Sequence, residues 1–304
     1  MEFLKQRVRT SFTNVAGTHD DPKLYGGPAG DLGLCGPGTI SWEINRDIAV
    51  VALAGTPAIV LEILHPSVIA GVEDLSSYKE DPLRRACTTL GYVLGTTFGN
   101  TEAATDLIAL VHRIHGRVTG VRPDGVPYAA TDPELLAWVH TCIPWMVMRS
   151  FETYRRPLSD DERNTYLAEQ AVIGRMGGAV DLPETVADLE DYVATMRGKL
   201  AVTEQTRVFL DFLLRQPAIA GLPKVLDRPL QRLLLCTGMR LAPRWAQELT
   251  DLRVGEPILR AAGAAHLRAQ ANLIRWAFGT PGWVAMAEAR AAGRPEPVRE
   301  PAHA

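Results

Sequence analysis

The chain has 304 residues, a hydrophobic content of 46%, an aromatic content of 7% and a formal net charge of -3. This composition is typical of a globular protein with a sizeable core, and it excludes an intrinsically disordered chain. The near-neutral charge, with arginines scattered among acidic residues, argues against nucleic-acid binding.

Residues 1–40 are rich in glycine and proline, which predicts an N-terminal arm ahead of the core. We expect a single helical domain over residues 41–290 and a polar tail over residues 291–304. The first nine residues lack the apolar segment of a secretory signal, and prolines and polar side chains interrupt the apolar stretch 48–72. We therefore expect a soluble, cytoplasmic protein without a transmembrane segment.

The four cysteines, Cys35, Cys87, Cys142 and Cys236, stand far apart in the sequence and form no C-x-x-C pair. Such spacing is typical of neither a zinc knuckle nor a disulfide framework. We expect four buried thiols in a reducing compartment.

Helical periodicity recurs along the chain, with almost no strand alternation. Asp81 and Pro82 predict the start of one helix, because this pair satisfies a free amide and presets the backbone angle. A second helix is predicted to begin at or near Thr101 and to end at His115 or Gly116.

A third helix is predicted to begin at Asp132 and Pro133, and Pro144 should kink or end it. Later helical patterns cover residues 158–173, 185–200, 204–214, 226–235 and 261–276. Together these segments predict an all-α protein of about nine or ten helices in one domain.

His115 is the most informative residue, because helical spacing places its imidazole on an apolar stripe. The stripe consists of Leu107, Ile108, Val111, Ile114 and Val118. A buried neutral imidazole is suited to binding a metal or a haem iron. The alternative is a core histidine that is hydrogen-bonded to a backbone carbonyl.

Common enzyme motifs are missing from the sequence, which has no phosphate-binding loop, no G-x-S-x-G elbow and no H-E-x-x-H helix. His112, His115 and His140 could form a nitrogen-rich site for zinc or non-haem iron. Large apolar side chains near this region line either a hydrophobic cavity or plain core: Trp138, Trp145, Met146, Met148 and Phe151.

Three groups of short motifs occur in order along the chain. They are LHPSVIAGV at residues 64–72 followed by Ser76, DPLRRACTT at residues 81–89 followed by FG at 98–99, and HGRVTG at 115–120 followed by YAA at 128–130 and WVH at 138–140. In their order and spacing they resemble the MpaB-type oxygenase family, which includes the catalytic domain of rubber oxygenase (latex clearing protein). The resemblance covers about residues 40–290.

This resemblance implies a haem b protein with a mostly helical, distantly globin-like core and an oxygenase activity on apolar substrates. By the resemblance His115 matches the proximal iron ligand, while Arg85 and Thr89 match an arginine and a threonine on the oxygen side of the haem. Thr88 stands where rubber oxygenase has a lysine, and this departure argues against rubber cleavage.

His65 and His140 are further candidate cofactor-binding residues. His65, which precedes Pro66, is either a second histidine on the haem or a structural group at a helix end. His140 is expected to pack beside the site or support it rather than to bind the iron.

The function predicted by these observations is a haem b-dependent oxygenase or oxidase, with dioxygen or peroxide as the oxidant. Its substrate would be an apolar small molecule such as a terpenoid, a lipid or a related natural product. A non-catalytic haem-binding or sensing module and a haem-free helical lipid-binding protein are the alternatives. Homo-oligomer formation is left open.

Overall fold

The computed structural model describes Met1, Lys5 and residues 21–75, 77–217 and 223–295, with the backbone alone at residues 75, 77 and 82–87. The described residues form a mostly helical domain with one two-stranded sheet and three short 3-10 helices. In chain order the α-helices are α1 (Pro22–Tyr25), α2 (Ile40–Asn45), α3 (Ile48–Glu62), α4 (Pro66–Leu75), α5 (Pro82–Phe98), α6 (Thr101–His115), α7 (Pro133–Tyr154), α8 (Asp160–Met176), α9 (Val186–Met196), α10 (Glu204–Arg215), α11 (Lys224–Gly238), α12 (Arg244–Leu249), α13 (Pro257–Phe278) and α14 (Gly282–Ala291). The 3-10 helices are Ser77–Lys79, Arg197–Lys199 and Met239–Leu241, and the antiparallel strands are β1 (Thr119–Val121) and β2 (Pro127–Ala129).

The all-α prediction is confirmed, but the predicted number of nine or ten helices is too low. Helices α1, α2 and α12 have only 4 to 6 residues, too few to show a helical period in the sequence. Helix α3 is buried on most sides, so its sequence is apolar all round and carries no amphipathic stripe.

Helices α3 and α7 pack against each other along the centre of the domain. Two hydrogen bonds cross this apolar interface: Ser150 Oγ donates to the carbonyl oxygen of Val50 at 2.8 Å, and Trp138 Nε1 donates to that of Glu62 at 3.3 Å. Both donors are fully buried, and each bond satisfies a polar group that would otherwise be stranded in the core.

The sequence left open whether the large apolar side chains of α7 line a cavity or form plain core. All of them belong to the main hydrophobic core. They are Trp138, Trp145, Met146, Met148 and Phe151, each at most 9% exposed. The structure therefore favours the plain-core alternative for this set.

Pro144 does not end α7, which continues without a break to Tyr154. Proline removes the amide that would bond to the carbonyl of His140, four residues earlier, so the sequence favoured a kink or an end at this point. Burial of the helix on both sides of Pro144 outweighs that local loss, because tertiary packing supplies most helix stability in a folded protein.

Helices α5 and α6 form an antiparallel hairpin joined by Gly99 and Asn100. Asn100 is the N-cap of α6, since its Oδ1 accepts a hydrogen bond from the backbone N–H of Ala103 at 2.8 Å. Its Nδ2 donates to the carbonyl oxygens of Lys23 and Gly26 at 2.9 Å. One side chain thus starts the helix and holds the N-terminal segment against the turn.

Arg290 of α14, which is far from this turn in the sequence, forms hydrogen bonds to the same turn. Its side chain is nearly fully buried, and its guanidinium donates to the carbonyl oxygens of Tyr25, Phe98 and Gly99 at 2.6 to 3.2 Å. Its Nε also donates to the carbonyl oxygen of Asp31 at 2.9 Å. The closed end of the hairpin is therefore fixed by hydrogen bonds to charged and amide side chains.

Of the described helices, none is by itself long and apolar enough to span a membrane; α3 and residues 66–74, which meet at 108°, reach that length and composition only as a bent pair. Cys35, Cys142 and Cys236 are free and buried, as predicted. The prediction for Cys87 lies outside the described side chains.

Candidate functional site

His115 is the last residue of α6, and the prediction of this helix over Thr101–His115 is confirmed. Its side chain is half-buried, on the face of α6 that also carries Ala104 and Ile108. The predicted stripe was wrong at Ile114, which is 52% exposed. The buried face lies about 100° away from Ile114, and the last turn of the helix has fewer neighbours than its middle.

Thr88 and Thr89 lie on α5, which runs antiparallel to α6. Thr88 is exposed and Thr89 is half-buried. The candidate Arg85 belongs to the same helix, in its first turn, but its side chain lies outside the described residues.

Tyr92 follows Thr88 and Thr89 by one helical turn and packs against the small cluster of Cys35, Ile108 and Ile173. Burial raises the pKa of Tyr92 to about 12, so the phenol stays protonated at neutral pH. Its hydroxyl lies near the end of α8, 3.9 Å from where a Cβ on Gly177 would be.

Three glycines stand at four-residue spacing along α5 and the turn, and Gly95 sets how closely the two hairpin helices approach. A Cβ on Gly95 would lie 2.6 Å from Leu107 Cδ2 of α6, whereas a Cβ on Gly99 would lie 2.3 Å from the carbonyl oxygen of Gly95 in its own segment. A Cβ on Gly91, one turn further along α5, would meet no described atom within 4 Å. The hairpin is thus tightly packed near its turn and has open space beside Gly91.

The sequence contained a signal for this arrangement, because residues at i, i+4 and i+8 lie close to one face of a helix. No role was predicted for these glycines from the sequence, so their place in the packing of the hairpin was missed. Followed away from the turn at Gly99 and Asn100, α5 passes Gly91 and reaches Thr88 and Thr89, while α6 ends at His115. These candidates therefore lie towards the same end of one hairpin.

His65 is buried and caps the start of α4. Its Nδ1 accepts a hydrogen bond from the backbone N–H of Ser67 at 3.2 Å, and its Nε2 lies 3.9 Å from Glu134 Oε1. Burial lowers the pKa of His65, and the Glu134 carboxylate only partly opposes this effect. Both ring nitrogens face protein groups, which favours the structural alternative for this residue.

Glu62, one turn before His65 in an E-x-x-H spacing, was missed as a candidate. It is only 6% exposed. The pKa of the buried Cys142 thiol is raised mainly by burial and also by the negative charge of Glu62. A buried acid is uncommon in a core, and its E-x-x-H spacing to His65 was the available signal in the sequence.

His112 and His140 contact different parts of the protein. His112 is exposed, with its Nδ1 3.2 Å from the carbonyl oxygen of Gly177, whereas His140 Nε2 lies 2.7 Å from that of Gln170. Burial lowers the pKa of His140.

Within the described ranges, no three His, Cys, Asp or Glu side chains come together as a metal-binding group. The structure therefore gives no support to the three-histidine alternative.

The family model described as "ER-bound oxygenase mpaB/B'/Rubber oxygenase, catalytic domain" matches residues 42–276, well over half of the chain. No curated protein and no solved structure matches the chain.

Proposed function

The chain belongs to the family of ER-bound oxygenase mpaB/B' and rubber oxygenase catalytic domains, and on this premise we propose that it is a haem b-dependent oxygenase acting on an apolar small molecule. The family supports an oxygenase and thus an enzyme. Haem, the iron ligand and the substrate class are the further content of the proposal.

The observation that carries the proposal is the joint position of His115, Thr88 and Thr89 on the α5–α6 hairpin, inside the matched residues 42–276. These are residues that the motif resemblance assigns to the two sides of a haem. About 26 residues of sequence separate Thr89 from His115. The hairpin turn reverses the chain, so that α6 runs back along α5 towards the end that carries Thr88 and Thr89.

The donor set is compatible with a haem group. A haem iron can be held by a single protein imidazole, so one half-buried histidine suffices where a zinc site would need three or four ligands. The open space beside Gly91 lies between the tight packing at Gly95 and the end of the hairpin that carries His115. His115 would hold the iron, and bound haem would supply the activation of the oxidant.

The protein groups would bind, orient and donate protons. Arg85 carries a permanent positive charge suited to a haem propionate or a polar group of the substrate. Thr89 can donate one hydroxyl proton from a half-buried position. The protonated phenol of Tyr92, one turn further along, can donate a second.

Thr88 sets this chain apart from rubber oxygenase, which carries a lysine at the matching position. A neutral hydroxyl cannot replace an ammonium in charge stabilisation, so we do not extend the proposal to rubber cleavage. Leu110 and Ile114, which are 46% and 52% exposed, lie about 140° and 100° around α6 from His115, so the apolar substrate is proposed from the family resemblance.

A haem assay coupled to oxygen uptake tests this function. The protein, expressed with haem precursor and purified, is assayed for haem by the pyridine haemochrome spectrum and then for oxygen consumption with a panel of terpenoids and fatty acids. Haem together with substrate-dependent oxygen uptake supports the proposal. Haem without turnover on any substrate favours a sensing module, and colourless protein after haem supplementation favours a haem-free lipid-binding protein.

A further inference from the structure

A cleft lies on helices α10 and α11, and none of its lining residues belongs to the α5–α6 hairpin. It has a volume of about 280 Å³ and is lined by Asp211, Leu214, Arg215, Arg228 and Arg232. Gln231 Nε2 donates to the carbonyl oxygen of Leu213 at 3.0 Å, a hydrogen bond that ties the two helices together beside the cleft. The positions of its walls are therefore set by a direct contact.

The three arginines of the cleft differ in their partners. Arg215 forms an ion pair with Asp211 at 2.5 Å, and Arg232 donates to the carboxylate of Asp251 at 3.0 Å. Arg228 is exposed and has no hydrogen bond or ion pair with any side chain in the part of the chain that the structure describes. One guanidinium, with its five donors, is thus left for a ligand.

The charge of the lining selects the ligand. Asp211 pairs with Arg215 and Asp251 pairs with Arg232, so Arg228 is the arginine of this lining whose positive charge is left unbalanced on a concave surface. A phosphate monoester carries about -1.5 to -2 charges at neutral pH and presents several acceptor oxygens, which guanidinium groups bind in a bidentate manner. The cleft lies just below the range of about 300–1,000 Å³ that drug-sized ligands occupy, so the ligand is small.

We propose that this cleft binds a phosphate monoester, with Arg228 as its principal contact and the ion-paired Arg215 and Arg232 offering their remaining N–H donors. The phosphate belongs either to a free small molecule or to the headgroup of a phospholipid. The site is separate from the hairpin that carries His115, so it does not depend on the proposed oxygenase activity.

Calorimetric titration of the full chain with glycerol 3-phosphate, at fixed ionic strength, measures the free-molecule source. Co-sedimentation with phosphatidylcholine vesicles, with and without phosphatidic acid, measures the lipid source. Each is repeated with Arg228→Ala and with Arg260→Ala, a matched control because Arg260 is also exposed, helical and without a described side-chain partner, but lies outside the cleft.

Saturable binding in either arm that weakens about tenfold or more in Arg228→Ala and is unchanged in Arg260→Ala supports the site and identifies the source. Absence of saturable binding in both arms overturns it. An equal loss in the two variants also overturns it, because that result describes general surface charge and not a defined site. Thermal melting of both variants checks that they fold.

Discussion

Gly95 and Leu107 face each other across the α5–α6 hairpin so closely that a Cβ at Gly95 would lie 2.6 Å from Leu107 Cδ2. One turn away, the same face of α5 opens beside Gly91. The packing thus changes within one helical turn, on the part of α5 that leads from the turn towards Thr88 and Thr89.

Filling the space beside Gly91 tests whether a cofactor uses it. We expect Gly91→Leu to fold, because no described atom lies within 4 Å of the added Cβ, and to lower the haem content per protein. Gly55→Leu is the matched control, since Gly55 also lies within a helix and has open space around its Cβ position. Equal haem contents in the two variants would show that the space has no part in cofactor binding.

His65 is expected to act as a helix cap. Replacing it by alanine removes the acceptor for the Ser67 amide and should lower the free energy of unfolding by about 1 kcal/mol. His65→Asn should restore most of this loss, because asparagine is a good N-cap residue. Urea unfolding measures both variants, and an iron-bound His65 would instead alter the haem spectrum in both.

Gly174 leaves room for His140, and a Cβ at this position would lie 2.4 Å from His140 Cδ2 and 2.5 Å from Leu182 Cδ1. We expect Gly174→Ala to destabilise the protein by about 1–3 kcal/mol through overpacking. Gly55→Ala, at an open helical position, should be neutral or stabilising by up to about 1 kcal/mol. Similar melting temperatures for the two variants would contradict the close packing around His140.

Acid should destabilise the protein through its buried histidines. Burial lowers the pKa values of His65 and His140 below their ordinary value of about 6.5, so the unfolded chain binds protons that the folded chain does not. Their stabilising contribution is complete above pH about 6.5 and is lost as the pH falls below it towards the folded-state values. His140→Gln, which cannot titrate, should unfold with a shallower dependence on pH in that window.

The sequence predicted α6 and α7 well because their starts carry strong local signals. Asp132 caps α7 as expected, its side chain accepting from the amide of Glu134, and α6 begins at Thr101 next to a capping asparagine. Helix α3 escaped prediction because a helix that is apolar all round and buried on most sides has no polar stripe to reveal its period.

For the candidate site, the sequence located His115 at a helix end but placed the buried face too near Ile114. An assignment of faces from spacing carries an error of about one residue, or about 100°, and only the neighbouring helix decides which residue is covered. The open space beside Gly91 depends on where α5 and α6 separate, which is a tertiary property that no local pattern encodes.

Restoring the charge at Thr88 tests the oxygen side of the site. Thr88 is exposed, so Thr88→Lys should leave the melting temperature unchanged. If this position faces the ligand side of the haem, the added ammonium should change the rates of carbon monoxide and cyanide binding. Unchanged kinetics for both ligands would remove Thr88 from that side.

The most direct test of the central claim is the absorption spectrum of the purified wild type beside His115→Ala and His112→Ala. His112 is a matched control, because it lies on the same helix three residues earlier and is exposed. We expect a Soret band in the wild type and in His112→Ala, and its loss or a marked shift in His115→Ala alone. An unchanged Soret band in His115→Ala, or a wild type without haem after supplementation, would contradict His115 as the iron ligand.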